Sequence, residues 1–397
     1  MLLDADPQGA FIPGPRLTIG PLATGLLSGR TCAVHDGIDC AGHVSGGGNP
    51  DWTTTRPVSS STAPAVLVAL QAGAACVGIA RGQELSIGLT GENPWYGTPV
   101  NPPCPERLPG GACSGAAAVV AAGLADFALA TDTAGSIRIP ASYCGVFGFR
   151  PTFGLVTTSG VHAPAPSFTT VGWIASAASL LAGIGEVLLP FGRQGADGPL
   201  LRPEEPWVNA QPAVAEALRP ALQRLERLRG RAIGVNLTPE GLDSVFDHFR
   251  VSYGEEVWTT LGSWVQGAEP PMGADLARQV EAARAIDPEL AAPARAFRRA
   301  FQGRVKPLLA GGAVLVLPTS PCPAPRTDAS YETLEAVYQA TLGVTAIAEL
   351  CGLPEVTLPV GRVHGAPVGL SLIGGAGHDR ALLALACDAA SVFGLAV

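Results

Sequence analysis

Thr131-Asp-Thr-Ala-Gly-Ser-Ile-Arg-Ile-Pro-Ala-Ser142 decides the fold through what flanks it on either side. Phe127–Thr131 reads as a buried strand running into a turn of small residues. Ahead of it, Gly110-Gly-Ala-Cys-Ser-Gly-Ala116 opens the Ala- and Val-rich segment Ala116–Leu124, whose small side chains suit a helix packed closely inside the fold. Further out, Arg30–Val34 and Ala75–Ala80 read as strands, and Ala63–Ala72 as a helix stopped by Gly73. This β/α alternation predicts a sheet covered by helices on both faces.

The middle of the chain reads differently. Gln194–Pro206 is rich in Gly, Pro and charge, as surface loops are, while Pro212–Arg229 and Asp275–Val305 carry Ala, Arg, Leu and Glu at helical spacing. Sheet patterning resumes at Ala313–Pro318, Val356–Val360 and Val368–Ile373, before a closing helix at Arg380–Phe393. The expectation is one α/β domain over 1–397, with a divergent helical region at about 200–310 on its periphery.

Composition narrows the function classes. With 397 residues, 47% of them hydrophobic, the chain can bury a large core. A net charge of −8 without a basic stripe argues against nucleic acid and anionic membranes as partners. The 9 cysteines form neither a CxxC pair nor a zinc spacing, so no metal and no cofactor is expected. The start, MLLDADPQGAF, lacks a positive n-region, and the apolar runs are too short to span a bilayer, which makes the cytoplasm the expected compartment. The sole lysine is Lys306.

The paired glycine loop and Thr131–Ser142 stretch, with Cys144-Gly-Val-Phe-Gly-Phe-Arg-Pro-Thr152 behind it, resembles the defining signature of the amidase signature family. That family shows Gly-Gly-Ser-Ser-Gly-Gly followed by Gly-Thr-Asp-Thr-Gly-Gly-Ser-Ile-Arg-Xaa-Pro. The likeness extends to Cys32-Ala-Val-His-Asp36, where the family has a strand ending in Val-Lys-Asp, and to Thr90-Gly-Glu-Asn93, Leu317-Pro-Thr319 and Gly352-Leu-Pro354. Gly42-His-Val-Ser-Gly46 and Gly48-Asn-Pro-Asp-Trp52 are most similar to plant amidases that hydrolyse indole-3-acetamide. The resemblance implies an α/β/α sandwich with a mixed central sheet and peripheral helices, and a small amide-like ligand. By analogy it also implies a homodimer or a partner subunit.

Family members cleave amides with a serine nucleophile, a second serine in a cis peptide and a neutral lysine that accepts the relayed proton. The resemblance puts the nucleophile at Ser136, and the oxyanion-binding N–H groups just before it at Thr133, Ala134 and Gly135. The bridging-serine position falls on Ala112, which has no hydroxyl, with Cys113 and Ser114 following. The lysine position carries His35. Ala134 stands where glycine is usual, and a Cβ restricts φ, so the loop is expected to converge less well on one oxygen. Asp132 and Arg138 match family positions and are expected to hold the loop by hydrogen bonds and an ion pair.

Two functions fit. One is a carbon–nitrogen hydrolase or acyl-transfer enzyme in which His35 serves Ser136 as general base, since imidazole titrates near neutrality. The other is a non-catalytic homologue that binds a ligand or partner through the retained scaffold. Loss of both relay members impairs catalysis on either view, and Cys113 is a weak substitute nucleophile because buried thiols are mostly inert.

Overall fold

The computed structural model describes residues 6–192, 195 and 197–397, so Gln194, the start of the expected surface loop, lies outside the described residues. Its sheet has ten strands: β1 (Thr31–His35), β2 (Ala75–Ala80), β3 (Phe127–Asp132), β4 (Phe147–Arg150), β5 (Thr170–Ala175), β6 (Leu200–Pro203), β7 (Ile233–Val235), β8 (Val314–Pro318), β9 (Glu355–Val363) and β10 (Ala366–Ile373). They lie side by side in the order β2-β1-β3-β5-β4-β9-β10-β8-β6-β7. β1 runs parallel to β2 and β3, and β6 parallel to β7 and β8. The pairs between β3 and β8 are antiparallel, so the sheet is mixed.

The helices are α1 (Pro50–Thr54), α2 (Pro64–Gln71), α3 (Ser114–Ala121), α4 (Arg138–Cys144), α5 (Ala178–Leu188), α6 (Glu204–Asn209), α7 (Pro212–Arg229), α8 (Leu242–Ala268), α9 (Ala274–Arg284), α10 (Ala291–Leu309), α11 (Tyr331–Cys351) and α12 (Asp379–Phe393). Strand alternation assigns them to layers. Phe127 and Leu129 of β3 join the core under α2, α5, α7 and α12, whereas Ala128 and Ala130 face the core of α3 and α4. Farther along the sheet, Val314 and Val316 point to the first layer and Leu315 and Leu317 to α8–α11. Both faces are apolar and both are roofed. The expected α/β/α sandwich is the fold observed.

Several elements depart from the sequence reading. Leu200–Pro203 is a strand rather than loop, because Leu200 and Leu201 bury against β8 and Pro203 falls at the strand's end, where a missing N–H matters least. Asp275–Val305 is two helices, separated at Asp287-Pro288. The longest helix, α8, and the short strands β4, β5 and β7 have no counterpart in that reading.

Candidate functional site

Parallel neighbours β1 and β3 end at the same edge of the sheet, which brings His35, the last residue of β1, beside the loop that leaves β3 at Asp132. A third segment completes the site. The Gly111–Ala112 peptide is cis, and α3 starts immediately afterwards at Ser114. The Cys113 N–H donates to the Ser136 carbonyl at 3.3 Å, and the Gln83 N–H donates to the Ala112 carbonyl at 2.8 Å. Ser136, His35, Ala112, Cys113 and Ser114 are thus gathered into one place, although they come from separate parts of the chain. The Ser114 hydroxyl is buried without a hydrogen-bond partner among the described residues.

Asp132 shapes the loop. Its carboxylate accepts from the N–H of Gly135 (3.1 Å) and of Ile137 (3.1 Å), from Nε and Nη2 of Arg138 (3.1 and 2.9 Å), and from Nη1 of Arg150 (3.0 Å). The two guanidinium groups outweigh burial and hold this carboxyl well below the usual carboxylate range. Gly135 takes the left-handed conformation, with φ 107°, and a Cβ there would meet the Thr345 side chain at 2.8 Å. Ala134 is not among the residues with positive φ, so its methyl group sits where glycine's freedom is not used. The expected distortion by Ala134 therefore has no basis in φ. Of the three N–H groups assigned to an oxyanion, that of Gly135 is committed to Asp132. Thr133 is fixed by its hydroxyl, 2.9 Å from that of Thr169.

Beneath the loop lies a buried charge cluster. Arg138 reaches Glu355 at 2.5 Å and also pairs with Glu349. Three carboxyls therefore share two guanidinium groups, and all five side chains are out of water. Burial pushes the Glu349 carboxyl up to about 8, which leaves it protonated at neutral pH and brings the cluster to balance.

His35 is 1% exposed and Ser136 3%. The His35 Nδ1 accepts the Gly37 N–H at 3.2 Å, which in the neutral ring leaves the proton on Nε2. Nε2 has no hydrogen-bond partner among the described residues, and the Gly82 backbone lies so near it that a Cβ there would stand 2.4 Å away. Burial lowers the imidazole to about 4 against the raising effect of Asp36, so the ring is neutral at pH 7. Among the described residues, no side chain hydrogen-bonds the Ser136 hydroxyl. Cys113 donates its thiol to the Thr131 carbonyl at 3.2 Å, and burial pushes that thiol up to about 12.

Some participants escaped the sequence reading. Gln83 ties three segments together, accepting the Gly91 N–H at 2.9 Å and donating to Asp275 at 3.0 Å. His162 packs edge-on against Trp52 and bonds the Leu85 carbonyl at 3.2 Å, and burial lowers its imidazole to about 4. The Gly42–Trp52 motif is held by Asp36, which accepts from Gly46 and Gly48 at 3.1 and 2.9 Å. Gln83 and His162 carry no signal of these roles in the sequence, whereas Asp36 and the Gly42–Trp52 motif belong to the stretches that carry the family likeness.

Relatives place this geometry in context. The family model described as Amidase matches residues 19–189 and 201–383, which includes the helical middle. "Amidase 1" of Arabidopsis thaliana is 34% identical, covering 95% of this chain and 96% of that one. The chloroplastic "Outer envelope protein 64" of the same plant is 32% identical, covering 94% of this chain and 69% of that one. A crystal structure of an amidase superposes with a TM-score of 0.80 at 27% identity, over 92% of this chain and 85% of that one. The chain belongs to the amidase family.

Proposed function

We propose that this chain is an amidase-family protein in which amide hydrolysis is impaired, with the signature scaffold kept for a small amide-like ligand. The observation that carries this reading is the state of His35. Its Nδ1 lone pair is taken by Gly37, its Nε2 bears the proton against Gly82, and Ala112 offers no hydroxyl to relay a proton from Ser136. A serine hydroxyl without a base is a poor nucleophile at neutral pH. Likeness to Amidase 1, and the Gly42–Trp52 motif, support an arylacetamide-like molecule of the indole-3-acetamide kind as the ligand class.

A second reading, a working hydrolase built on Ser136, is favoured by the intact framework around it. Asp132, Arg138 and the gathered Cys113–Ser136 segments keep the loop in place. One experiment decides between them. The wild type and the Ser136→Ala and His35→Ala variants are assayed on an activated aryl ester and an aryl amide, with fluorophosphonate labelling read by mass spectrometry. The expected result is background turnover that ignores both substitutions, no Ser136 adduct, and thermal stabilisation by indole-3-acetamide. Ester turnover lost in both variants, with an adduct on Ser136, would establish the hydrolase instead.

A further inference from the structure

Helices α8, α9 and α11 enclose a cleft of about 420 Å³, inside the range of roughly 300–1,000 Å³ usual for small-molecule sites. Its lining contains neither Ser136 nor His35. Helical spacing supplies its polar groups: Tyr331, Glu335 and Tyr338 recur along one face of α11, and Asp275 and Arg278 along one face of α9. From α8 comes Tyr253, only 8% exposed. Its hydroxyl has no hydrogen-bond partner among the described residues, though its ring lines the cleft. That hydroxyl opens into the cleft rather than being sealed in the core, so it is free to meet a ligand there.

The charges say which kind. Arg278 is paired with Asp275 at 3.5 Å and stacked on Tyr331 at 4.1 Å, and Arg250 is paired with Asp247 at 3.2 Å. Both cations are committed and lie at the exposed rim. Glu335 has no cation among its partners, which are the Gln339 amide at 2.9 Å and the Tyr331 hydroxyl at 3.4 Å. Glu92 adds a further negative charge acting on Asp275. The spare charge of the cleft is negative and its walls are aromatic, a combination that suits an organic cation.

We propose that the cleft binds a small aromatic molecule bearing a protonated amine, with the ammonium group received by Glu335 and the Tyr253 hydroxyl oxygen and the ring lying against the tyrosines. The site is independent of any chemistry at Ser136. Binding is therefore measured by calorimetry on the full chain carrying Ser136→Ala, with phenethylammonium, phenylacetamide and phenylacetate as probes. Phenethylammonium is expected to saturate one site and to bind about tenfold tighter than either other probe. Glu335→Gln weakens it by about tenfold, and Tyr253→Phe by about fivefold. Because the Tyr253 hydroxyl has no internal partner, Tyr253→Phe leaves the melting temperature unchanged, which separates lost binding from lost folding. Phenylacetate binding as tightly as the amine, amine affinity untouched by both substitutions, or no saturable amine binding would each overturn the assignment.

Discussion

A general base must offer a lone pair to the hydroxyl it serves, and in His35 the available lone pair is already used by the Gly37 N–H. Restoring chemistry thus requires a different side chain at 35 and a hydroxyl at 112. The His35→Lys plus Ala112→Ser variant is expected to gain turnover of a small aryl amide, while each single change gains far less, because relay members act as a unit. Steady-state kinetics on the three variants checks this, and equal gains in all three would refute the coupling. Glu349 makes a different prediction. Its folded value is raised from 4.5 to about 8, so the folded state holds a proton that the unfolded state releases. The resulting stability is full below pH 4.5 and is lost as pH rises to about 8, at a slope of up to ~1.4 kcal/mol per pH unit for one group. Glu349→Gln, neutral throughout, should flatten that part of a denaturation-versus-pH curve; an unchanged slope would count against the assignment. Ser136, Asp132 and Arg138 were legible because they sit in one short motif. Glu349, Glu355 and Thr345 were not, since their partner Arg138 lies more than 200 residues away and no local pattern encodes that meeting.

Among the elements, α3 carries the tightest packing constraint of the site. A Cβ on Gly115 would meet the Ala10 carbonyl oxygen at 2.2 Å and the Arg81 backbone at 2.5 and 2.7 Å. Backbone cannot yield as a flexible side chain does, so Gly115→Ala should destabilise at or above the upper end of ~1–3 kcal/mol. Gly267→Ala, at an exposed position near the end of α8 with nothing within 4 Å of its Cβ, should instead stabilise by about 0.5–1 kcal/mol. Urea denaturation midpoints of the two variants give the comparison. Element legibility followed the same physics. Strands β1, β2, β3 and β8 and helices α2 and α7 are legible within a residue or so, because Gly or Pro punctuates β2, β8, α2 and α7, while the apolar runs of β1 and β3 give way to His-Asp and Thr-Asp. The 27-residue α8 is not, since Gly254 and Gly262 interrupt its periodicity and its burial against α9, α10 and α11 supplies what propensity lacks.

For the molecule as a whole, the sheet is written in two instalments. Strands β1–β5 lie together on one side, β6–β10 on the other, and they join at the antiparallel β4–β9 pair. The mixed order was beyond sequence reading, because periodicity names strands without naming their neighbours. The same arrangement governs how the protein is made. Arg138 leaves the ribosome 211 residues ahead of Glu349 and 217 ahead of Glu355, and β4 emerges long before β9 can cover its edge. At translation rates of ~5–20 residues per second, that wait is on the order of ten to forty seconds. Throughout it the nascent N-terminal half carries an open strand edge and part of its signature-loop charge cluster unpaired. An open edge of that kind is a template for pairing with other chains, so this interval is the one in which misassociation competes with folding.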